Sequence, residues 1–317
     1  MKKVLAYIVA GLFCFWLVVA FLLPAERVFQ MSIAAERYFA GLAVHKVKLG
    51  ELEIEYLRGG QGPTLLLIHG FGADKDNWTR LARYLTADFD VIAPDLPGFG
   101  NSSKNSALDY DVLPQAERLK QFADALGINT FHLAGNSMGG YIAGNYAALY
   151  PGDVQSLSLL APFGVLGAQT SEMFAEIKQG KSPRVLVKNK QEFKQLLEVV
   201  FVDPPFIPQA ILDHLALQAE QSFALNSKIF HQIHNLDQGA IRPTAPLNLV
   251  LKEYPGPILV LWGDKDRVLH VSGAEVLKQL LADARVVVIP DAGHLPMIEM
   301  PGRTAEIFTS FIAAQKH

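Results

Sequence analysis

Ser137 lies in Gly135-Asn136-Ser137-Met138-Gly139-Gly140, a G-x-S-x-G pattern. The apolar run from Phe131 to Gly135 leads into it, and a helix-forming stretch, Met138 to Tyr150, leads out. A serine on so tight a strand-to-helix turn offers its hydroxyl as a nucleophile. Because the turn is strained, the flanking residues need almost no side chain. Gly135 and Gly139 meet that need, and Gly140 lets helix and strand approach closely.

A serine hydroxyl is a weak nucleophile until a base takes its proton. The run Val286 to Ile289 ends in Pro290-Asp291-Ala292-Gly293-His294, and His294 is the candidate base. The run Ile258 to Trp262 ends in Gly263-Asp264-Lys265-Asp266-Arg267-Val268-Leu269. An aspartate there would fix the tautomer of the imidazole and stabilise the imidazolium. Spacing alone leaves Asp264 and Asp266 both open. The chain order serine, aspartate, histidine is the order that serine enzymes with this strand–turn–helix use.

A third segment supplies backbone donors. Thr64 to Ile68 ends in His69-Gly70-Phe71-Gly72. The N–H of Phe71 and the N–H of Met138 are the expected oxyanion donors for an attacked carbonyl. His69 reads as structural, because a base in this order comes late in the chain.

These residues need a scaffold of buried strands. Thr64 to Ile68, Phe89 to Ala93, Thr130 to Ala134, Val154 to Leu160, Ile258 to Trp262 and Arg285 to Ile289 are near-continuous apolar runs. Such runs suit a parallel sheet covered on both faces. Val44 to Leu49 and Leu52 to Arg58 flank Gly50 and read as a hairpin. Helices are expected over Asn77 to Thr86, Asp111 to Leu126, Met138 to Tyr150, Ser272 to Leu281 and Gly302 to Ala314. The alternation predicts an α/β fold. It breaks between Pro162 and Pro257, where the pattern is helical (Thr170 to Gln179, Lys190 to Phe201, Pro208 to Asn235) and no clear strand is predicted. That stretch is the candidate lid or cap. Val199-Val200-Phe201-Val202 and Phe206-Ile207 either line an apolar route through it or form its own core.

The 317 residues are 50% hydrophobic and 19% charged, with a net charge of −3. That composition excludes a disordered chain and gives no basic footprint for nucleic acid. The single cysteine, Cys14, excludes an intramolecular disulfide and a cysteine-built metal site. The hydrophobic surplus is local: Val4 to Leu23 is 20 residues without a charged side chain. As a helix it would span about 30 Å, the thickness of a bilayer core. A cleaved signal peptide competes, but its apolar region usually runs about 7–15 residues to a small-residue site, and Leu22-Leu23-Pro24-Ala25 is a poor one. A retained single-pass anchor is therefore expected. Lys2 and Lys3 favour a cytoplasmic N-terminus, while Arg27, Arg37, Lys46 and Lys48 on the other flank blur the orientation. Met31 to Leu42 reads as a short amphipathic stalk helix on the membrane surface. The expected organisation is anchor and stalk over 1–43, core over 44–161, helical cap over 162–256, and core again over 257–317.

From about Leu57 to Phe311 the chain resembles an α/β-hydrolase. It is most similar to membrane-anchored monoacylglycerol lipases and related bacterial membrane-bound lipases and esterases. Phe131 to Gly140 and Tyr150-Pro151-Gly152-Asp153-Val154 are similar to that family's nucleophile segment. Gly263 to Ala274 is similar to its acid loop, where the family's catalytic Asp matches Asp266 and its His matches His294. Asp95-Leu96-Pro97-Gly98-Phe99-Gly100 is similar to a structural turn found across the superfamily. The resemblance implies a serine hydrolase of lipid or other hydrophobic acyl esters, with Ser137, Asp266 and His294 as its triad. It implies a membrane association through the N-terminal helix, no metal or organic cofactor, no nucleic acid and no protein partner.

Two other readings compete, and a third is weaker. Carbon–carbon hydrolases of ring-cleavage products share the Gly-Asn-Ser-Met-Gly-Gly segment, but Leu295 stands where they carry Trp after the histidine. Non-catalytic hydrolase-like binding proteins often lose a triad member, and this chain retains all three. Dehalogenase-like relatives use an Asp nucleophile where this chain has Ser137.

Overall fold

The structure, a computed structural model, describes Tyr7, Gly11, residues 24–237 and residues 240–315. The apolar run Val4 to Leu23, expected to be an anchor, otherwise lies outside the described residues. Among those described, no helix is long and apolar enough to cross a membrane.

The strands are β1 Ala43–Leu49, β2 Leu52–Gly59, β3 Thr64–Ile68, β4 Asp90–Pro94, β5 Phe131–Asn136, β6 Val154–Leu160, β7 Leu236–Asp237, β8 Ala240–Ile241, β9 Ile258–Gly263 and β10 Arg285–Ile289. Eight form one sheet in the order β1-β2-β4-β3-β5-β6-β9-β10. The β1–β2 hairpin is antiparallel, β2 pairs antiparallel with β4, and every later pair is parallel. The helices are α1 Ala25–Phe39, α2 Thr79–Ala82, α3 Val112–Ala125, α4 Met138–Leu149, α5 Glu172–Lys178, α6 Lys190–Val200, α7 Gln209–Gln221, α8 Phe223–His234, α9 Leu247–Val250, α10 Ser272–Leu280, α11 Pro296–Glu299 and α12 Pro301–Ala313.

The apolar runs are buried because both faces of the sheet are covered. Along β3, Leu66 and Ile68 face one core with Tyr141 and Ile142 of α4 and Leu119 and Phe122 of α3. Leu65 and Leu67 face the other, with Leu81 of α2 and Phe308 and Phe311 of α12. Successive side chains of a strand point to opposite faces, so a strand clad on both sides is apolar at every position.

Several expected elements differ in extent. The stalk helix runs Ala25–Phe39 rather than Met31 to Leu42. Pro24 opens it, and left-handed Gly41 (φ +69°) ends it while Leu42 N–H closes back on Arg37 O. It packs on the protein body: Arg37 grips Asp76 with two bonds of 2.6 Å, and Phe29 meets His214 of α7 at 5.5 Å. The helix expected from Asn77 begins instead as a 3-10 turn, Lys75–Trp78, because the Asp74 carboxylate accepts the Asp76 N–H. The helix expected over Pro208 to Asn235 is two, split at Ser222. That residue keeps near-helical angles (φ −86°, ψ −4°), so the apolar periodicity runs through the break. The region expected to lack strands holds the β7–β8 hairpin, whose two-residue arms are too short to show a period of two. Val199, Val200 and Phe201 are buried in the main core, whereas Phe206 is 91% exposed.

Leu66 is fully buried in the centre of the sheet. Leu66→Ala is expected to lower stability by about 2–5 kcal/mol, read as a lower urea midpoint with an unchanged slope.

Candidate active site

Strand β5 turns into α4 at Ser137, whose backbone sits at φ +56°, ψ −118°. A positive φ costs a residue with a Cβ strain, and such strain persists only when the surroundings over-determine it. Here they do. Ser137 N–H donates to Leu160 O of β6 (2.9 Å), and Ser137 O accepts the N–H groups of Tyr141 and Phe163 (both 3.0 Å). The two glycines are required by contact. A methyl group on Gly135 would fall 2.2 Å from Gly139 O, and one on Gly139 would fall 2.2 Å from Ile68 O of β3. The Ser137 side chain is left half-buried at the C-terminal edge of the sheet.

His294 and Asp266 meet at the ends of neighbouring strands. The buried His294 ring donates from Nδ1 to Asp266 Oδ2 at 2.8 Å. Asp266 Oδ2 also accepts from Trp262 Nε1 (3.1 Å), and Oδ1 accepts the N–H groups of Val268 (2.8 Å) and Leu269 (2.9 Å). A carboxylate so fully hydrogen-bonded is fixed in place. Asp264, the other aspartate left open by spacing, makes no bond to His294: its Oδ2 lies 3.4 Å from Lys265 Nζ.

Asn136, the residue before the serine, ties the histidine loop to the serine turn. Its Nδ2 donates to Leu160 O and to His294 O, each at 3.1 Å. The His294 N–H donates to Val200 O at the end of α6, and Glu299 accepts from Gly293 N–H and Val202 N–H, each at 2.9 Å. Burial pushes the Glu299 carboxyl up, against these donors. Among the described residues, no hydrogen bond joins Ser137 Oγ to the His294 ring. In unliganded enzymes such contacts are often long and tighten around substrate.

The third segment is held from below. His69 is fully buried; Nδ1 donates to Gly70 O (2.8 Å) and Nε2 accepts from Leu96 N–H (3.0 Å). Burial pushes its pKa down, so it is a neutral strut. The turn that supplies Leu96 is pinned by Lys75, a residue sequence patterns gave no reason to choose. Its buried Nζ lies 2.9 Å from Asp95 Oδ2 and 3.0 Å from Glu55 Oε1, and its N–H donates to Asp95 Oδ1 at 2.7 Å. Burial opposes its charge, but Asp95, Asp76 and Asp74 outweigh that and push its pKa up. Among the described residues, the N–H groups of Phe71 and Met138 have no hydrogen-bond acceptor within the protein. Nor does any group of three or more His, Cys, Asp or Glu side chains stand where it could hold a metal ion.

A family model described as the alpha/beta hydrolase fold matches residues 63–301. The chain belongs to the α/β-hydrolase family. It is 37% identical over 253 residues to Lipase 3 of Moraxella sp. (strain TA144), covering 79% of this chain and 77% of that one. It is 31% identical over 265 residues to the mouse (Mus musculus) monoacylglycerol lipase ABHD6, covering 81% and 77%. Among solved structures it is similar to a membrane phospholipase A described as a bacterial virulence factor. That pair has a TM-score of 0.87 and 43% identity, with 100% of both chains covered. The chain is an α/β-hydrolase of the lipase and esterase type.

Asp266→Asn would keep the shape of the loop and lose the charge that holds the His294 tautomer. It is expected to cut ester turnover by roughly 10⁴-fold with little change in KM, measured by steady-state kinetics on a soluble ester.

Proposed function

We propose that the protein hydrolyses carboxylic esters of lipids and other hydrophobic acyl groups, monoacylglycerol-like esters among them, through an acyl-enzyme on Ser137. The observation that carries this reading is the His294–Asp266 pair, bonded at 2.8 Å, on a loop that Asn136 fastens beside Ser137. His294, its Nδ1 proton held by Asp266, takes the Ser137 proton at Nε2 as the hydroxyl attacks the ester carbonyl. The negative charge that develops on the carbonyl oxygen is met by the N–H groups of Phe71 and Met138. Each such donor typically contributes about 2.7–4 kcal/mol in the transition state. His294 then protonates the departing alcohol. Water, deprotonated by the same ring, releases the acid and restores Ser137.

In this reading residues 162–256 form the cap over the site. Its tie to the catalytic loop runs through Val200, Val202 and Glu299, so the cap and His294 are positioned together. The 20 uncharged residues from Val4 to Leu23 serve as a membrane anchor, with 1–43 as anchor and stalk. A bilayer concentrates apolar esters beside the site. Kinship with lipases, and likeness to a membrane phospholipase, support this reading of substrate and location.

A panel of esters of graded chain length, assayed with and without detergent, tests the proposal. Turnover is expected to favour long acyl chains and to vanish in Ser137→Ala while the thermal transition is kept. Full activity in Ser137→Ala would remove the mechanism, and a preference confined to short soluble esters would remove the lipid substrate.

A further inference from the structure

His234 closes α8 and is 6% exposed, in a cage of aromatic rings. Phe230 stacks on it with centroids 4.0 Å apart, and Phe163 lies at 4.4 Å, Phe174 at 5.8 Å and Phe71 at 6.5 Å. Two of these residues belong to the nucleophile's surroundings. The Phe163 N–H donates to Ser137 O, and the Phe71 N–H is one of the candidate oxyanion donors. The imidazole therefore stands in the aromatic wall beside the serine, although it has no part in the chemistry above.

Its hydrogen bonding is half complete. Nδ1 lies 2.8 Å from Phe230 O, a carbonyl that can only accept, so Nδ1 carries the proton. Nε2 is then a lone-pair acceptor, and no group among the described residues donates to it. Burial pushes this histidine down to about 4, so the ring is neutral and the lone pair persists at physiological pH. Nε2 is not one of the fully buried side-chain atoms without a partner, so in a side chain otherwise closed in by rings it stays open to a donor from outside the protein. From this we propose that His234 is a specificity-determining residue, whose Nε2 accepts a hydrogen bond from a hydroxyl of the ester substrate bound beside Ser137. The proposal rests on the ester-hydrolase reading and refines it. It selects esters bearing a free hydroxyl, on the alcohol or on the acyl chain, over simple alkyl esters.

The test compares wild type, His234→Phe and His234→Gln on three esters of one acyl length. These are the 1-glyceryl ester, the methyl ester, and the methyl ester of the terminally hydroxylated chain. His234→Phe keeps the ring and removes the acceptor. It is expected to lose roughly tenfold or more in kcat/KM on one hydroxylated ester, which identifies the hydroxyl's source. The plain methyl ester should stay within about twofold, and His234→Gln, which retains an acceptor, should recover part of the loss. Equal loss on all three esters, or no loss on any, overturns the proposal. A second readout needs no substitution at His234. In Ser137→Ala protein, the ¹⁵N resonance of His234 Nε2 should move on adding 1-O-dodecylglycerol and stay with dodecyl methyl ether. A resonance unmoved by both, or moved alike by both, overturns the proposal as well. Wild type inert toward all three esters would instead overturn the ester-hydrolase reading, and the ether titration would still report on His234.

Discussion

The turn at Ser137 constrains everything around it. A serine held at φ +56° cannot sit there on its own account. It needs β6 to accept its N–H, α4 and Phe163 to donate to its carbonyl, and two neighbours without side chains. Those neighbours bring three elements into backbone contact. Gly139 lies where a methyl group would strike the end of β3, and β3 is the strand that delivers His69, Gly70 and Phe71. The close packing that exposes the hydroxyl thus also sets the distance between the two expected oxyanion donors. The proposed nucleophile and donors are outcomes of one packing arrangement.

His294, the proposed base, is coupled to the same turn by a side chain. Asn136 spans from the serine turn to the carbonyl of His294, so the loop that carries His294 is placed relative to Ser137. Asp266 is placed by its own surroundings, with two backbone N–H groups and Trp262 filling the oxygens that His294 does not fully use. Each link is a hydrogen bond to a charged or buried group, where one missing partner leaves the other unsatisfied and costly. The buried Lys75 with Asp95 and Glu55 does the same for the Phe71 loop. It anchors the turn whose Leu96 N–H holds the His69 ring.

Much of this was legible in the sequence because it is local or periodic. The G-x-S-x-G turn, the buried strands and the serine–aspartate–histidine order declare themselves in residue types at fixed offsets. β3, β6 and β10 fall on the expected boundaries. What stayed hidden was long-range. Nothing near position 75 announces a lysine that pairs with positions 55 and 95, and nothing near 136 announces a bond to 294. Asp264 and Asp266 are two residues apart in one loop, so spacing does not separate them; the resemblance implies Asp266, and in the folded loop it is Asp266, with Trp262 and two backbone donors converging on it, that meets His294. The inserted helices are legible in the sequence, but the break at Ser222 is not, since near-helical angles there leave the apolar pattern in phase.

The proposed activated serine at position 137 rests on the turn, the Asn136 bridge and the His294–Asp266 pair. The direct measurement is covalent labelling of the folded protein with a fluorophosphonate, read by intact mass and then by peptide mapping. One adduct per chain, located on Ser137 and absent from Ser137→Ala, is the expected result. Folded protein that takes up no label, or carries it on another residue, would contradict the assignment.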